Sequence, residues 1–263
     1  GRLGGTSGAL PIGGLPRPRI GGMGAPVPEN RPTIPVYRWP DAVLQGKAGG
    51  HPSDIRAIYN VGGDYVVEGA DVDKSVRAFQ QVEFSVCHEL FLTPTARLCD
   101  IVLPATHWLE RQDIVVPQGN YLLFSHRAVP PLGEARNDYD IFCALADVLD
   151  FGEAFSAGRD EEAWLQAFVA HSEITDYEEF KRTGLYWGAD QERVGLAAFA
   201  SDPQGHPLPT PSGRVEIASE AYARTGFPAS PQARILPTQE EYPLRLITPK
   251  SRYRTHSQFD NIP

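Results

Sequence analysis

The order of secondary-structure patterns between Asp54 and Glu89 limits the fold more than any other feature of this chain. "IRAIYNVGG" is a short apolar run that ends in two glycines, a pattern typical of a β-strand followed by a tight turn. "DVDKSVRAFQQV" then predicts an amphipathic helix with Asp71 as its N-cap, and "EFSVCHE" predicts a second strand. Two strands joined by a helix in so short a span run parallel, with a right-handed crossover.

The residues that follow extend the same architecture. "CDIVLPA" predicts a third strand, "GNYLLFSHRAV" an extended segment or hairpin arm, and "NDYDIFCALADVL" a helix capped by Asn137 or Asp138. The apolar face of this helix comprises Ile141, Leu145, Val148 and Leu149. We therefore expect an α/β fold, a doubly wound and mainly parallel sheet with flanking helices.

Beyond this helix, residues 152–185 have a mostly helical pattern. "TDYEEFKRTG" places Thr175 and Glu178 at capping-box spacing and stops at Gly184. Further on, "RVEIAS" (214–219) predicts a strand, "SEAYARTG" a short helix, and "LRLITP" a final strand.

The predicted organisation has four parts. Residues 1–53 form an irregular Gly/Pro-rich segment with one short helix at Trp39–Leu44; such a long structureless stretch is either a flexible tail or packs against something else. Residues 54–226 form the α/β domain, and the Pro-rich stretch 227–241 is a linker. Residues 242–263 begin a further domain with a strand and a basic, hydroxyl-rich loop.

Composition excludes several classes of protein. The chain has 24 Lys+Arg against 33 Asp+Glu, a net charge of −9, which argues against a nucleic-acid partner. No run approaches the roughly 18 to 20 apolar residues of a membrane-spanning helix, so we expect no direct membrane insertion. Cys87, Cys99 and Cys143 have no paired spacing, which favours free buried thiols over disulfides or a zinc site.

Two candidate binding residues follow the predicted strands directly. The turn "VGGD", which ends at Asp64, lies where ligands bind in parallel sheets, and its glycines let backbone N–H groups approach a phosphate or ribose. The G-x-G-x-x-G fingerprint is absent, so a simple tight turn is the alternative. In "CHE", Glu89 can accept hydrogen bonds from two ribose hydroxyls. Cys87 and His88 point to opposite faces of a strand, so they indicate no metal site.

Two further candidates lie outside the strands. Arg111 has two possible roles. It forms a surface ion pair with Glu110, or it contacts a base or phosphate by stacking or hydrogen bonding. Asp138 is either a helix cap or an acceptor for the N1–H and N2–H₂ donors of guanine. No nucleophile elbow, P-loop or Ser-His-Asp arrangement is present, so no catalytic residue is identified.

Several blocks together resemble the molybdopterin oxidoreductases of the dimethyl sulfoxide reductase family. The signature is "FLTPTARLCDIVLPATHWLE", preceded by "YNVGGD" and followed by "PPLGEARNDYDIF", "TPSGRVEIASE" and "PLRLITPKSRYRTHSQFDN". The resemblance covers the chain from about Asp54 onward and implies a bis(molybdopterin guanine dinucleotide) cofactor with molybdenum or tungsten. The reaction it implies is a two-electron change with oxygen-atom or hydride transfer.

The resemblance also implies roles for individual residues. Residues 54–226 match the third domain, which binds the guanosine end of one dinucleotide, with Glu89 on the ribose, Asp138 on the guanine and Arg111 on the base or phosphate. The other matching nucleotide-contact positions are Gly63, Asp64, His88 and Thr93. In the opening loop of the fourth domain, along the pterin and diphosphate, the matching positions are Thr248, Lys250, Arg254, His256 and Ser257.

By this resemblance the chain is an interior fragment of a longer enzyme. The molybdenum ligand, and a [4Fe-4S] cluster where one exists, belong to missing upstream parts, so no metal ligand is assigned here. We expect the isolated chain to hold no cofactor and to be inactive. The parent takes a small-molecule substrate, such as a sulfoxide or another sulfur compound, and an electron-transfer subunit, in cytoplasm or periplasm. The alternative is a free-standing nucleotide-binding or scaffold module without redox activity.

Overall fold

The computed structural model describes residues 18–24, 34–117, 119–189, 195–224, 226–233, 241, 243–247, 249 and 252. The chain divides into two compact units between Gly195 and Leu196, which are treated separately below. The predicted functional division into four parts stays a prediction.

A three-stranded parallel sheet organises the first unit. Its strands are β1 (Ala57–Val61), β2 (Phe84–Glu89) and β3 (Ile101–Pro104), in the spatial order β1-β2-β3. Both pairings are parallel, with Tyr59 opposite Val86 and Val86 opposite Ile101. The predicted α/β class with a parallel sheet is confirmed.

Three helices accompany the first two strands: α1 (Trp39–Gln45), α2 (Tyr65–Glu68) and α3 (Val72–Gln81). The helices predicted from Trp39 and after Asp71 are confirmed, and the Asp71 side chain accepts a hydrogen bond from Lys74 N at 2.9 Å. Phe79 of α3 meets Trp39 of α1 edge to face, with ring centroids 5.5 Å apart. Both rings line a hollow that also includes Ile58 and Asn60 of β1.

Helix α4 (Asp138–Val148) packs on the sheet through Phe142, whose ring contacts Tyr59 and His88. Asn137 is the N-cap, and its side chain accepts from Tyr139 N at 3.2 Å. Of the two predicted caps, Asn137 therefore takes this role, and the Asp138 carboxylate is left for other contacts. The short helix α5 (Gly152–Ser156) packs against α4, with Phe155 near Phe142.

The apolar face predicted for α4 is only partly covered. Leu145 and Val148 line an apolar groove of about 740 Å³ together with Val86, Ile101 and Leu103 of the sheet. Val148 is strongly exposed, so the second half of the helix has little packing among the described residues.

A second sheet in this unit is antiparallel and was only partly predicted. It comprises β4 (Asp113–Val115), β5 (Tyr121–Ser125) and β6 (Leu185–Trp187), with β5 in the centre. The extended segment predicted from "GNYLLFSHRAV" is β5, whereas β4 and β6 were not predicted. Three-residue strands are too short to show an alternating pattern, which explains the omission.

Helices α6 (Glu161–Ala170) and α7 (Tyr177–Thr183) cover this antiparallel sheet. The sheet and both helices contribute to the main buried apolar cluster, which comprises Leu122, Phe124, Leu165, Val169, Ile174 and Phe180. The first turn of α6 is acidic, with Glu161 and Glu162, and Asp160 caps the helix by accepting from Ala163 N at 2.9 Å.

The start of α7 differs from the prediction by one residue. Asp176, not Thr175, is the N-cap, and its side chain accepts from Glu179 N at 2.9 Å. A carboxylate caps at least as well as a threonine hydroxyl, so the capping-box spacing of Thr175 and Glu178 was misleading. The predicted stop at Gly184 is confirmed, since this residue takes a left-handed φ of 72°.

The described part of the second unit contains two short helices, α8 (Ala197–Ser201) and α9 (Glu220–Ala223), and Ser219 caps the predicted α9. The strands predicted at 214–219 and 244–249 are wrong where the structure describes them: residues 214–219 and 243–247 form no strand. Ile217 and Leu244 are 84% and 90% exposed, so neither segment has the half-buried surface that an alternating pattern needs. None of the described helices is long and apolar enough to cross a membrane.

A leucine pair tests where the stability of the first unit resides. Leu122 is fully buried in the apolar cluster and Leu132 is 82% exposed in a loop. We expect Leu122→Ala to lower the free energy of unfolding by about 2–5 kcal/mol. Leu132→Ala should change it by less than about 0.5 kcal/mol. Urea denaturation of both variants measures the difference, and equal effects would contradict the assigned core.

A second pair tests the corrected cap of α7. Asp176→Ala should cost about 0.5–2 kcal/mol of unfolding free energy because the amide of Glu179 loses its acceptor. Thr175→Ala should be close to neutral, since Thr175 is exposed at the preceding position. If Thr175→Ala were the more destabilising change in denaturant titrations, the original capping-box prediction would be reinstated.

Candidate nucleotide-binding site

The carboxyl ends of the parallel strands meet at one edge of the sheet, as parallel pairing requires. β1 leads there into Gly62, Gly63 and Asp64, β2 ends at Glu89, and Thr106 follows β3 by two residues. This is the edge at which open parallel sheets bind ligands.

The glycine turn after β1 is held against the neighbouring strand. Gly62 has a left-handed φ of 64°, and its amide donates to the His88 carbonyl at 3.2 Å. Asn60 Nδ2 donates to the carbonyl of Gly63 at 2.8 Å. None of the residues that the structure describes has an atom within 4 Å of the position that a Cβ at Gly62 would occupy, so among them this side of the turn is open.

Asp64 connects the turn after β1 to the loop after β2. Its Oδ1 accepts from the backbone N of Thr95 at 3.1 Å and from the Thr95 hydroxyl at 2.5 Å. That hydroxyl oxygen accepts in turn from Val66 N at 3.1 Å. The Oδ1 atom of this predicted binding residue therefore has a structural role. Thr93 Oγ1 likewise accepts from Ala96 N at 3.2 Å and opens a short 3-10 turn.

Glu89, predicted to bind the ribose, lies at the end of β2 and is partly exposed. Its Oε1 accepts from the amide of the next residue, Leu90, at 2.8 Å. Within the described part of the chain, Oε2 accepts no hydrogen bond, so it is available to a ligand hydroxyl.

His88 has a different place from the one predicted. Its side chain is 0% exposed, and both ring nitrogens have partners: Tyr59 Oη lies 2.7 Å from Nε2, and Asp138 Oδ1 lies 2.8 Å from Nδ1. The predicted contact of the His88 side chain with a nucleotide is therefore corrected, because a ring enclosed in this way cannot touch a ligand at the surface.

Asp138 and Arg111 lie side by side at the surface. The Asp138 side chain is 35% exposed, and its Oδ2 is 3.9 Å from Nη1 of Arg111. Arg111 also donates to the Thr106 carbonyl at 3.0 Å. The alternative of an ion pair with Glu110 is wrong, because the Glu110 carboxylate accepts from backbone amides of His107 and Leu132 instead.

Both side chains line a hollow of about 170 Å³ with partly aromatic walls. The aromatic residues around it are Tyr139, Trp164 and Phe168. Arg111 and the carboxylic residues Asp113, Asp138 and Glu161 also line it, and aromatic side chains beside such charged groups suit a flat, polar heterocycle such as a nucleobase.

The chain is similar to known proteins both in sequence and in fold. The family model for molybdopterin oxidoreductases matches residues 38–148, which contain the whole parallel sheet and α4. The trimethylamine-N-oxide reductase of Haemophilus influenzae is 36% identical over 231 residues, 78% of this chain. The dimethyl sulfoxide/trimethylamine N-oxide reductase of Rhodobacter capsulatus is 35% identical over 79% of this chain. The biotin sulfoxide reductase of Cereibacter sphaeroides is 32% identical over 99% of this chain. This chain belongs to the molybdopterin oxidoreductase family.

The predicted resemblance of this oxidoreductase chain to the dimethyl sulfoxide reductase family is thereby confirmed. The chain spans only 28% to 38% of the length of these relatives. The solved structure of acetylene hydratase from Pelobacter acetylenicus matches this chain with a TM-score of 0.56 and 24% sequence identity. The match covers 77% of this chain and 27% of the hydratase chain. That likeness supports the fold alone.

Parts of the predicted molybdopterin oxidoreductase site lie outside the described residues. These are the positions assigned to the loop that follows the final predicted strand: Thr248, Lys250, Arg254, His256 and Ser257. Among the residues that are described, no group of three or more His, Cys, Asp or Glu side chains is arranged to hold a metal ion.

The three cysteines of the molybdopterin oxidoreductase chain are free thiols, as predicted, but only Cys87 is fully buried. Burial raises the pKa of the Cys87 thiol to about 12, and neighbouring Cys99 adds to the effect. Such a thiol is protonated at neutral pH and has little nucleophilic character.

Sequence patterns did not indicate Tyr59 or Trp164 as site residues of this family member. Tyr59 lies in the middle of β1 and Trp164 in the middle of α6, where an aromatic residue ordinarily contributes to the core. Burial raises the pKa of the Tyr59 hydroxyl, and the Asp138 carboxylate raises it further, so this hydroxyl keeps its proton. The role of Tyr59 as a hydrogen-bond partner of His88 is evident only from the pairing of β1 with β2.

A partly buried carboxylate, that of Glu162, stabilises the helices around the hollow in a pH-dependent manner. Glu162 accepts from Lys181 Nζ at 2.7 Å and from the Tyr177 hydroxyl at 2.9 Å, which ties α6 to α7. Burial acts to raise the pKa of Glu162, but these hydrogen bonds outweigh it, so the pKa lies below its ordinary value of 4.5.

We expect the stabilising contribution of Glu162 to be lost in acid. A carboxyl whose pKa is lowered by folding stabilises the fold above its unfolded pKa, and this contribution disappears as pH falls through the folded pKa. Glu162→Gln should thus be less stable than wild type near pH 7, with the difference vanishing as pH falls below 4.5. Urea titrations across this range test it, with the exposed Glu178→Gln as the control that should show no such convergence.

Proposed function

We propose that this chain binds the guanosine end of a molybdopterin guanine dinucleotide in a larger molybdenum or tungsten oxidoreductase. The observation that carries the proposal is the Asp138 carboxylate beside Arg111 at the ligand-binding edge of the sheet, over an aromatic-lined hollow. When bound, the molybdenum or tungsten centre supplies the two-electron redox change that accompanies oxygen-atom or hydride transfer.

The donor and acceptor pattern of this pair fits guanine better than adenine. Guanine presents N1–H and N2–H₂ as donors, which a carboxylate accepts, and O6 and N7 as acceptors, which arginine recognises. Adenine presents an amino donor where guanine has O6, so Arg111 would face a donor instead of an acceptor. Asp138 retains its Oδ2 atom on the exposed side, and Arg111 is held 3.9 Å from it.

The remaining contacts follow the order of the strands along the edge. Oε2 of Glu89 would accept from the ribose hydroxyls. The turn is open beside Gly62, where a phosphate could approach the backbone, although the Gly62 amide itself already donates to the His88 carbonyl. Thr93 and Asp64 act first through loop contacts, so we assign them to shaping this turn.

The C-terminal positions Thr248, Lys250, Arg254, His256 and Ser257 stay predictions for contacts with the pterin and diphosphate. For the parent enzyme, the relatives named as N-oxide and sulfoxide reductases support a small oxidised nitrogen or sulfur compound as substrate. An electron-transfer subunit, a [4Fe-4S] cluster elsewhere in the parent, and inactivity of the chain alone also stay predictions. Family membership favours this function over a scaffold without redox activity.

The first test measures binding of guanosine diphosphate to the purified chain by calorimetry. Adenosine diphosphate, which carries the other purine base, is measured for comparison. We expect Asp138→Asn to weaken binding of guanosine diphosphate by about 1–3 kcal/mol, because an amide cannot accept from both guanine donors. The matched control is Asp140→Asn, which removes the same charge from the same helical turn.

The control variant should bind within about 0.5 kcal/mol of wild type. Equal affinity of the wild-type chain for both nucleotides, or unchanged binding by Asp138→Asn, would remove the support for a guanosine site here.

A further inference from the structure

A hydrogen-bonded chain of three side chains runs from the parallel sheet to the surface. The Tyr59 hydroxyl lies 2.7 Å from His88 Nε2, and His88 Nδ1 lies 2.8 Å from Asp138 Oδ1. These residues lie on β1, on β2 and at the start of α4. The chain therefore joins three separate elements at the point where the proposed guanine acceptor lies.

In a neutral His88 ring, the partners set the direction of both hydrogen bonds. An ionised carboxylate only accepts, so Nδ1 of His88 carries the proton toward Asp138. Nε2 then holds a lone pair, which accepts from the Tyr59 O–H. With this arrangement every polar atom of the buried ring has a partner.

Aromatic packing keeps the imidazole in place. Phe142 lies on α4 one turn after Asp138, and its ring centroid is 4.9 Å from that of His88. The Tyr59 ring stacks on Phe142 at 5.5 Å. Helix α4 thus supplies both the carboxylate and one of the rings that confine its donor.

The other oxygen of Asp138 has a much looser environment. Among the described residues, Oδ2 has only the 3.9 Å approach of Arg111, and both side chains line the hollow. Without a fixed donor on Oδ1, the carboxylate could rotate toward Arg111 or toward the free amides of the helix N-terminus. The two carboxylate oxygens of Asp138 are therefore not equivalent. The hydrogen bond from His88 to Oδ1 determines that Oδ2 faces the hollow.

We propose that Tyr59 and His88 are positioning residues that hold the Asp138 carboxylate in one orientation for the two donors of guanine. The inference rests on the proposed guanosine site and adds the determinants of its base selectivity. Neither residue touches the base; both act through Asp138.

The first experiment needs no ligand. Nitrogen-15 NMR of the histidine rings at neutral pH should show His88 as the Nδ1–H tautomer with an unprotonated Nε2. In Tyr59→Phe, which keeps the ring stacked on Phe142, the Nε2 resonance should shift because its donor is gone. A wild-type His88 with a proton on Nε2 would overturn the assigned direction and with it the proposal.

The second experiment measures base selectivity, which a general loss of stability does not alter. Inosine diphosphate lacks the 2-amino group of guanosine diphosphate, so the ratio of their dissociation constants reports the carboxylate orientation. We expect Tyr59→Phe to lower this preference by roughly 3- to 10-fold, the loss of about one hydrogen bond. Tyr121→Phe, on the antiparallel sheet, is the matched control and should leave the ratio unchanged.

A double-mutant comparison separates positioning from other effects. In the Asp138→Asn background, Tyr59→Phe should have no further effect on the ratio, since both changes act on one acceptor. An unchanged ratio in Tyr59→Phe with normal binding of guanosine diphosphate would overturn this inference and leave the proposed function intact. No binding of guanosine diphosphate by the wild-type chain would overturn both.

Discussion

Parallel pairing of β2 with both of its neighbours is the constraint on which the rest of the first unit depends. Because the three strands point the same way, the glycine turn, Glu89 and the segment that leads to Arg111 emerge at one edge. The buried row from Ser85 to His88 makes β2 the buried centre of the parallel sheet, and the same strand ends at the candidate site. The main apolar cluster of the unit lies elsewhere, on the antiparallel sheet and its helices.

How much of this could be predicted from the sequence depends on the range of the interactions. β1, β2, β3 and helices α3 and α4 show their own periodicity and caps within ten or so residues, and all were predicted. The strands β4 and β6, which were not predicted, are formed by pairing with β5. The segment "RVEIAS", which was predicted as a strand, lacks any such partner among the described residues. Similarly, local spacing favoured Thr175 as a cap, whereas the backbone turns one residue later at Asp176.

The candidate site shows the same division. Glu89 and Asp138 could be predicted as binding residues because each occupies a position with a general meaning, the end of a parallel strand and the start of a helix. The roles of Asp64 and His88 could not be found in this way, since they depend on Thr95 and on Tyr59, which are 31 and 29 residues away from them in sequence. Adjacent residues on β2 also have different surroundings. The side chain of His88 contacts α4 in the interior, while Glu89 ends the strand and is partly exposed.

The uneven packing of α4 explains why polar contacts matter for its position. Leu145 and Val148, in the second half of the helix, line the open apolar groove and bury little surface against the sheet. Its first half is fixed by the Asn137 cap, by Phe142 on the sheet, and by the hydrogen bond from His88 to Asp138. Most helical stability in proteins comes from packing of an apolar face, and in α4 this face is incompletely buried. The orientation of the proposed guanine acceptor therefore depends on this first turn, where a directional hydrogen bond supplies the constraint that apolar burial leaves incomplete.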